Sequence, residues 1–291
     1  DYRKVNSVTV ADSYPLPRME DCVDNVGTAR FVTKLDMLKG YWQIPLTDKA
    51  SDISAFVTPD SFAQYTSMAF GLRNAPATFQ PLVKLILGDL PNCSAYLDDV
   101  VVYSMTWREH ISLLKAVFTR LLKASLTLNL VKCEFGQAAV NYLGKEVRQG
   151  KVRPVEAKVV AISQFLVPTT RRELRRFLRM AGYYRNFCKN FSTVVNPLTS
   201  LLSPSTPYVW SDACQNAFFV KTLLCSTPVL SAPDFAAPFK LEIDASAVGT
   251  GAVLIQEDGN GIDHPISYFS RKFNKHQLNY STIEKETLAF V

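Results

Sequence analysis

Two adjacent aspartates, Asp98 and Asp99, sit between runs of strand-forming residues in Ala95-Tyr96-Leu97-Asp98-Asp99-Val100-Val101-Val102-Tyr103. Aromatic and β-branched residues on both sides predict two short strands meeting at a hairpin tip. A tip selected for stability alone would carry Asn-Gly or Asp-Gly, which accept the positive φ of tight hairpins. Neighbouring carboxylates repel, more strongly as water is excluded. A bound divalent cation reverses that penalty, so the segment reads as a metal site at a strand turn. A polar surface turn is the competing reading, and the dipeptide alone does not separate the two.

Other segments do. Upstream, Phe31-Val32-Thr33-Lys34-Leu35-Asp36-Met37 alternates like a strand and ends in a third aspartate. Around these lie Asp1-Tyr2-Arg3-Lys4-Val5-Asn6, Tyr14-Pro15-Leu16-Pro17, and Leu35-Asp36 through Gly40-Tyr41-Trp42-Gln43-Ile44. Phe70-Gly71-Leu72-Arg73-Asn74-Ala75-Pro76-Ala77-Thr78-Phe79-Gln80, Tyr96-Leu97-Asp98-Asp99 and Tyr142-Leu143-Gly144 follow. In this order and spacing the motifs resemble the reverse transcriptase of a gypsy-type LTR retrotransposon, over essentially the whole chain. The resemblance implies an α+β fold in three parts. Residues 1–147 would form a polymerase palm (split βαβ) with partial fingers, and residues 148–235 a helical thumb and connection. Residues 236–291 would begin a ribonuclease H-like α/β domain. By the same resemblance the chain is expected to be a fragment cut at both ends, lacking basic fingers residues before Asp1 and ribonuclease H carboxylates after Val291.

At 291 residues the chain is long enough for two domains with real cores. No uninterrupted apolar run approaches the ~20 residues a membrane helix needs, and the start carries no signal-peptide pattern. Six cysteines (22, 93, 133, 188, 214 and 225) are scattered without a CxxC. That spacing argues for free thiols and against a zinc or disulfide framework. An intracellular setting, in a cytoplasmic retrotransposon particle or the nucleus, is the matching expectation. Prolines 204, 207, 228, 233 and 238 punctuate the second half and blur boundaries there.

The net charge of +6 is modest, but residues 151–191 carry ten Lys or Arg and two acids. Thr170 and Glu173 have capping-box spacing, which predicts a helix starting at Thr170. Leu174, Phe177, Leu178 and Ala181 form its apolar stripe. Arg172, Arg175, Arg176 and Arg179 line another face. A solvated helix face is the ordinary reading. The lack of acidic i+4 partners favours a phosphate backbone, where neutralisation releases counterions. Earlier helices are predicted from Ala75-Pro76 and over residues 107–124, the second with Ile111, Leu114, Val117, Phe118 and Leu121 on its buried face.

The chemistry implied by the resemblance is RNA-directed extension of a DNA primer. Asp36, Asp98 and Asp99 would be the catalytic carboxylates, holding two Mg²⁺ ions, with Mn²⁺ as the alternative. The Met37 carbonyl is implied as a further ligand, and Asp99 as a metal A ligand or a shaper of the hairpin. Tyr41 matches the family's steric gate against a ribose 2′-OH, with a core aromatic as the alternative. Phe70 and Gly71 would line the nucleotide pocket. Lys132 would meet pyrophosphate, or be a surface lysine. Tyr142, Leu143 and Gly144 match the primer grip. The partners implied are an RNA template, a DNA primer, RNA–DNA hybrid and dNTPs, and no membrane.

In the last region Phe239-Lys240-Leu241-Glu242-Ile243-Asp244 reads as a strand, and Asp244 matches the first metal-binding carboxylate of ribonuclease H. Glu284 and Glu286 compete for the second place on a helix starting near Ser281. Ser281 and Glu284 have capping-box spacing, so Glu286 is the expected ligand and Glu242 a surface residue. Ile53-Ser54-Ala55-Phe56 lacks a lysine the family often has, and Arg179 replaces a usual glycine. Such departures, with the cut ends, suit a catalytically inactive, truncated or domesticated copy that only binds nucleic acid. The intact aspartates and Tyr41 suit an active polymerase.

Overall fold

The computed structural model describes residues 1–226 and 229–290; Pro228 and Val291 lie outside them. Two compact units divide the chain, Asp1–Leu143 with Val147–Gln149, and Gly144–Glu146 with Gly150–Val291.

The first unit has strands β1 (Phe31–Asp36), β2 (Phe56–Val57), β3 (Phe62–Ala63), β4 (Cys93–Tyr96), β5 (Asp99–Ser104), β6 (Glu134–Gln137) and β7 (Ala139–Tyr142). Its helices are α1 (Arg3–Val8), α2 (Met19–Val26), α3 (Asp48–Ile53), α4 (Ala75–Leu87) and α5 (Trp107–Lys123). A sheet in the order β4-β5-β1-β6 forms its centre. Alternation decides its faces: Thr33, Leu35, Val100 and Val102 are buried on one face, while Lys34 and Asp36 of β1 leave the other. Helix α4 opens with Pro76 in its first turn, where a missing N–H costs nothing, and buries Phe79, Gln80, Val83 and Leu87. Truncating a wholly buried ring such as Phe79 would cost about 3–5 kcal/mol.

Helix α5 starts after Thr106, whose hydroxyl accepts the Glu109 N–H at 3.3 Å. Its buried face is turned from the expected one: His110, Leu113, Leu114, Val117 and Leu121 are inside, and Phe118 is 39% exposed. The cause is His110. Its Nε2 lies 2.7 Å from Thr33 Oγ1 on β1 and its Nδ1 3.0 Å from Ser104 Oγ on β5. Thr33 Oγ1 also accepts the Gly136 N–H of β6 at 3.0 Å. One buried polar network therefore ties α5 to three strands.

The amino-terminal segment is stitched to the loop ahead of α4. Asn6 Nδ2 donates to the Gly71 carbonyl at 2.7 Å and Asn6 Oδ1 accepts the Arg73 N–H at 2.9 Å. The Arg73 guanidinium donates to the carbonyls of Asn6 and Thr9, and Asn74 Nδ2 to that of Val10.

The second unit takes in part of β8 (Lys145–Arg148), then β9 (Lys151–Pro154), which pairs with β10 (Leu230–Ser231). Strands β9 and β10 fall within residues 148–235, which the resemblance implies to be helical. Between them run α6 (Glu156–Ser163), α7 (Arg171–Tyr183), α8 (Phe191–Val194), α9 (Asn196–Ser200), α10 (Asp212–Phe218) and α11 (Val220–Cys225). The α7 stripe is as its spacing predicts, with Leu174, Phe177 and Ala181 wholly buried. Phe177 packs between Phe165 and Phe218, at 5.4 and 4.7 Å. Strands β11 (Lys240–Ala245), β12 (Gly249–Glu257) and β13 (Asp263–Lys272) form an antiparallel meander, followed by α12 (Thr282–Phe290). Asn190 Oδ1 rests on Gly251, where a Cβ would lie 1.9 Å from it, so only glycine admits that approach. Ser192 fixes the same contact through bonds of 2.9 and 3.0 Å to Ser270.

Burial holds the His110 imidazole below its ordinary value, so it is neutral when folded. The unfolded chain, titrating near ~6.5, binds that proton more readily, so the network's contribution is complete above ~6.5 and is lost as pH falls towards the folded value. Chemical-denaturation midpoints between pH 7.5 and 5 should therefore fall more steeply for the parent than for His110→Gln. At pH 7.5 that substitution should cost about 1–3 kcal/mol, the scale for buried groups left unpaired.

Candidate active site

The β4–β5 hairpin turns through Leu97 and Asp98. Leu97 has φ +53°, a conformation that costs a non-glycine residue about 1–2 kcal/mol. Gln80, a buried residue of α4, holds the turn from beneath. Its Oε1 accepts the Leu97 N–H at 2.7 Å, and its Nε2 donates to the Ala95 carbonyl at 3.0 Å. From the other side the Met37 N–H donates to the Asp98 carbonyl at 3.0 Å. The tip is thus over-determined, as a strained residue at a working site has to be.

Only Asp98 stands at the tip. Asp99 is the first residue of β5 and lies directly opposite Asp36 of β1 in the antiparallel ladder. Each of these two carboxylates has a lysine: Lys34 Nζ is 3.7 Å from Asp99 Oδ1, and Lys132 Nζ 3.8 Å from Asp36 Oδ2. Burial raises the Asp99 carboxyl above its ordinary value. Lys34 opposes that shift, and Asp98 and Asp36 add to it. The Lys132 side chain is 65% exposed, a solvated cation beside Asp36.

Tyr41 stands on the single 3₁₀ turn Gly40–Gln43, its ring 5.2 Å from Phe70 and 5.5 Å from Phe79. Burial raises its hydroxyl, with the Asp98 charge adding to the effect. Gly40 brings this turn against Asp98: with φ +36°, a Cβ there would lie 3.4 Å from the Asp98 Cβ. The structure thus gathers Asp36, Asp98, Asp99, Met37, Tyr41, Phe70 and Lys132 round one hairpin, with Gly71 next to Phe70.

The donors here are hard oxygens, which suits Mg²⁺. Among the described residues no three His, Cys, Asp or Glu side chains converge to hold an ion unaided. Mg²⁺ is ordinarily held by one or two carboxylates with substrate phosphates completing the octahedron, so the set fits a site finished by nucleotide. The Met37 carbonyl accepts the Gly40 N–H at 3.3 Å and keeps a second lone pair.

At the Tyr142-Leu143-Gly144 turn one expectation needs correction. Tyr142 is 0% exposed, beside the Cys22 thiol, and its ring belongs to the core. The next two residues of the turn, Leu143 and Gly144, have φ of +45° and +72°. In the second unit Tyr184 Oη donates to the Gly144 carbonyl at 3.0 Å.

Arg172, Arg175, Arg176 and Arg179 are exposed along α7. Arg171 turns inward instead, donating to the carbonyls of Leu201 and Thr206. Thr170 caps the helix as its spacing predicts. Glu173 reaches one residue further back than a capping box requires, to the Thr169 N–H at 2.9 Å and its hydroxyl at 3.0 Å. On β11, Asp244 is exposed and pairs across the ladder with Gly251. Ser281 and Glu284 cap α12 reciprocally, at 2.7 and 3.3 Å, which leaves Glu286 exposed and uncommitted. Glu242 is exposed as well.

Residues 1–147 match the family model described as reverse transcriptase (RNA-dependent DNA polymerase). The chain belongs to the reverse transcriptase family. A second model, the RNase H-like domain found in reverse transcriptase, matches residues 210–291 and so begins upstream of β11. Relatives of this reverse transcriptase chain include the retrovirus-related Pol polyprotein from transposon 297 of Drosophila melanogaster, 42% identical over the whole chain and 27% of that protein. The transposon Tf2-3 polyprotein of Schizosaccharomyces pombe is 34% identical over the whole chain and 22% of its own length. The chain thus spans about a quarter of the curated relatives it matches. Among solved structures, a foamy viral protease–reverse transcriptase dRH in complex with double-stranded DNA superposes with a TM-score of 0.90, at 26% identity over all of this chain and 51% of that one. The foamy viral protease–reverse transcriptase in complex with RNA/DNA hybrid gives 0.87, at 26% identity over 40% of that chain.

Lys34 and Gln80 lie inside the quoted segments, but the motifs give neither a role. Strand alternation would have placed Lys34 on the face of Asp36, and an amide on the apolar face of α4 was the signal for Gln80. Replacing Gln80 with Leu strands the Leu97 N–H and the Ala95 carbonyl. Unfolding should register a loss of about 1–3 kcal/mol, and primer extension a fall of roughly tenfold in kcat, the effect of one loosened hydrogen bond on the reacting geometry.

Proposed function

We propose that the chain carries the polymerase centre of a retrotransposon reverse transcriptase, extending a DNA primer on an RNA template by nucleotidyl transfer from dNTPs. The observation that supports this most is the pairing of Asp36 with Asp99 beneath a hairpin whose tip presents Asp98. Asp36 and Asp98, with the Met37 carbonyl, would hold divalent metal, Mg²⁺ or Mn²⁺. Divalent metal held by these residues would supply activation of the primer 3′-hydroxyl and stabilisation of the departing pyrophosphate. Tyr41, backed by Phe70 and Phe79, fills the space a ribose 2′-OH would need and so selects deoxynucleotides. Lys132, close to Asp36 yet largely solvated, is free to meet the pyrophosphate as it leaves. The exposed arginines of α7 hold backbone phosphates of the template–primer duplex. Asp244 and Glu286 are assigned to a ribonuclease H centre in the region that matches the RNase H-like domain.

Primer extension on poly(rA)/oligo(dT) with Mg²⁺ tests this reading. The parent chain should extend, and Asp98→Asn should lose at least about 10³-fold, because the lost group acts in the transition state. Extension by Asp98→Asn at the parent rate, or none by either chain, contradicts the proposal. A Tyr41→Ala variant should incorporate ribonucleotides at least about tenfold more readily relative to dNTPs, on the scale of roughly 1–3 kcal/mol for a pocket that excludes one group. Replacing Arg172, Arg175, Arg176 and Arg179 together with Ala should lower the slope of log K against log salt by about 0.9 for each phosphate contact removed.

A further inference from the structure

On β1, Lys34 and Asp36 are two residues apart, so both side chains leave the same face of the sheet. Asp99 lies opposite Asp36, and Val101 opposite Lys34. Glu134 of β6 flanks Lys34 across its other ladder. Of these two acids the ammonium takes Asp99, at 3.7 Å. The pair is sheltered: the Lys34 side chain is 20% exposed and that of Asp99 31%. The second cation differs, since Lys132 near Asp36 is 65% exposed and hangs from a short 3₁₀ turn. One lysine can swing off its aspartate at little cost. The other is fixed by a central strand.

We propose that Lys34 is a positioning residue that holds Asp99 off the metal, leaving Asp36 and Asp98 as the working carboxylates. This rests on the polymerase reading of those two aspartates. Three like charges round one hairpin would otherwise compete for the same cation and draw it between β1 and β5 before nucleotide arrives. With Lys34 neutralising one of them, the site waits with two carboxylates and an open coordination sphere, which incoming phosphates complete. Asp99 then serves the ladder, anchoring the first residue of β5 opposite Asp36, and its role is to space the other two.

The test is Mn²⁺ binding to the free chain by electron paramagnetic resonance, with neither nucleic acid nor nucleotide present. It reads the same whether or not the chain extends a primer, so failure here and failure of the polymerase reading are distinct. Lys34→Met and Lys34→Gln should each bind Mn²⁺ about 3- to 10-fold more tightly, the change of roughly one added ligand charge, while Lys34→Arg should match the parent. The gain should vanish in the Lys34→Met, Asp99→Asn double variant, because the carboxylate released by the first change is absent. Unchanged Mn²⁺ affinity in a folded Lys34→Gln chain overturns the proposal. So does a gain that persists in the double variant, which would mark a general effect of removing positive charge.

Discussion

Everything at the candidate site depends on the register of β1 against β5. That ladder sets Asp36 opposite Asp99, and with it the distance between the carboxylate on one strand and the hairpin tip on the next. Side chains alternate with a period of two, so a slip of one residue would send Asp36 into the core and Leu35 out of it. The register is fixed by burial on one face, where Leu35, Val100 and Val102 meet α4 and α5. Hydrogen bonding round the tip fixes it again. Gln80 holds the hairpin on the α4 side and the Met37 N–H holds Asp98 from β1. A positive φ at Leu97 is tolerated because three bonds oppose its relaxation.

Placing three carboxylates together carries an electrostatic cost, and the structure offsets it unevenly. Asp99 is matched by a sheltered lysine of the central strand, Asp36 by a solvated one, and Asp98 has no ion-pair partner among the described residues. The gradient runs from a carboxylate committed to the protein to one left for a ligand. That gradient suits the proposed cation, whose coordination phosphate oxygens would complete. Next to the charges the Tyr41 ring packs against Phe70 at a tilt of 53° and edge-on against the buried Phe79.

Where a local rule was strong, the fold was legible in the sequence. Thr170 caps the helix it precedes, Pro76 opens α4, and Ser281 with Glu284 caps α12, which separates Glu284 from Glu286. The three aspartates were legible through their motifs, and the structure adds that Asp99 is a ladder residue and Asp98 alone the tip. Strands β8 and β9 were not legible, because four-residue strands rich in Lys and Arg carry too little alternation to register. Neither was the rotation of α5, since it follows from His110 bonding to Thr33 and Ser104, 77 and 6 residues away in sequence. Tyr142 reads as a surface contact by its motif and is core by its burial. Asn6, Arg73 and Asn74 read as motif residues, and the structure gives them a structural task, their side chains bonding to the backbone of a distant segment.

In the proposed arrangement the β1–β5 register presents Asp36 and Asp98, without Asp99, to divalent metal. The most direct measurement is anomalous scattering from Mn²⁺ in crystals of the chain with a primer–template and a non-hydrolysable dNTP. The account predicts two peaks about 3.5–4 Å apart, both within ligand distance of Asp36 and Asp98, with Asp99 still on Lys34. Peaks coordinated by Asp99 with Lys34 turned away, or no peak at the hairpin, would contradict it.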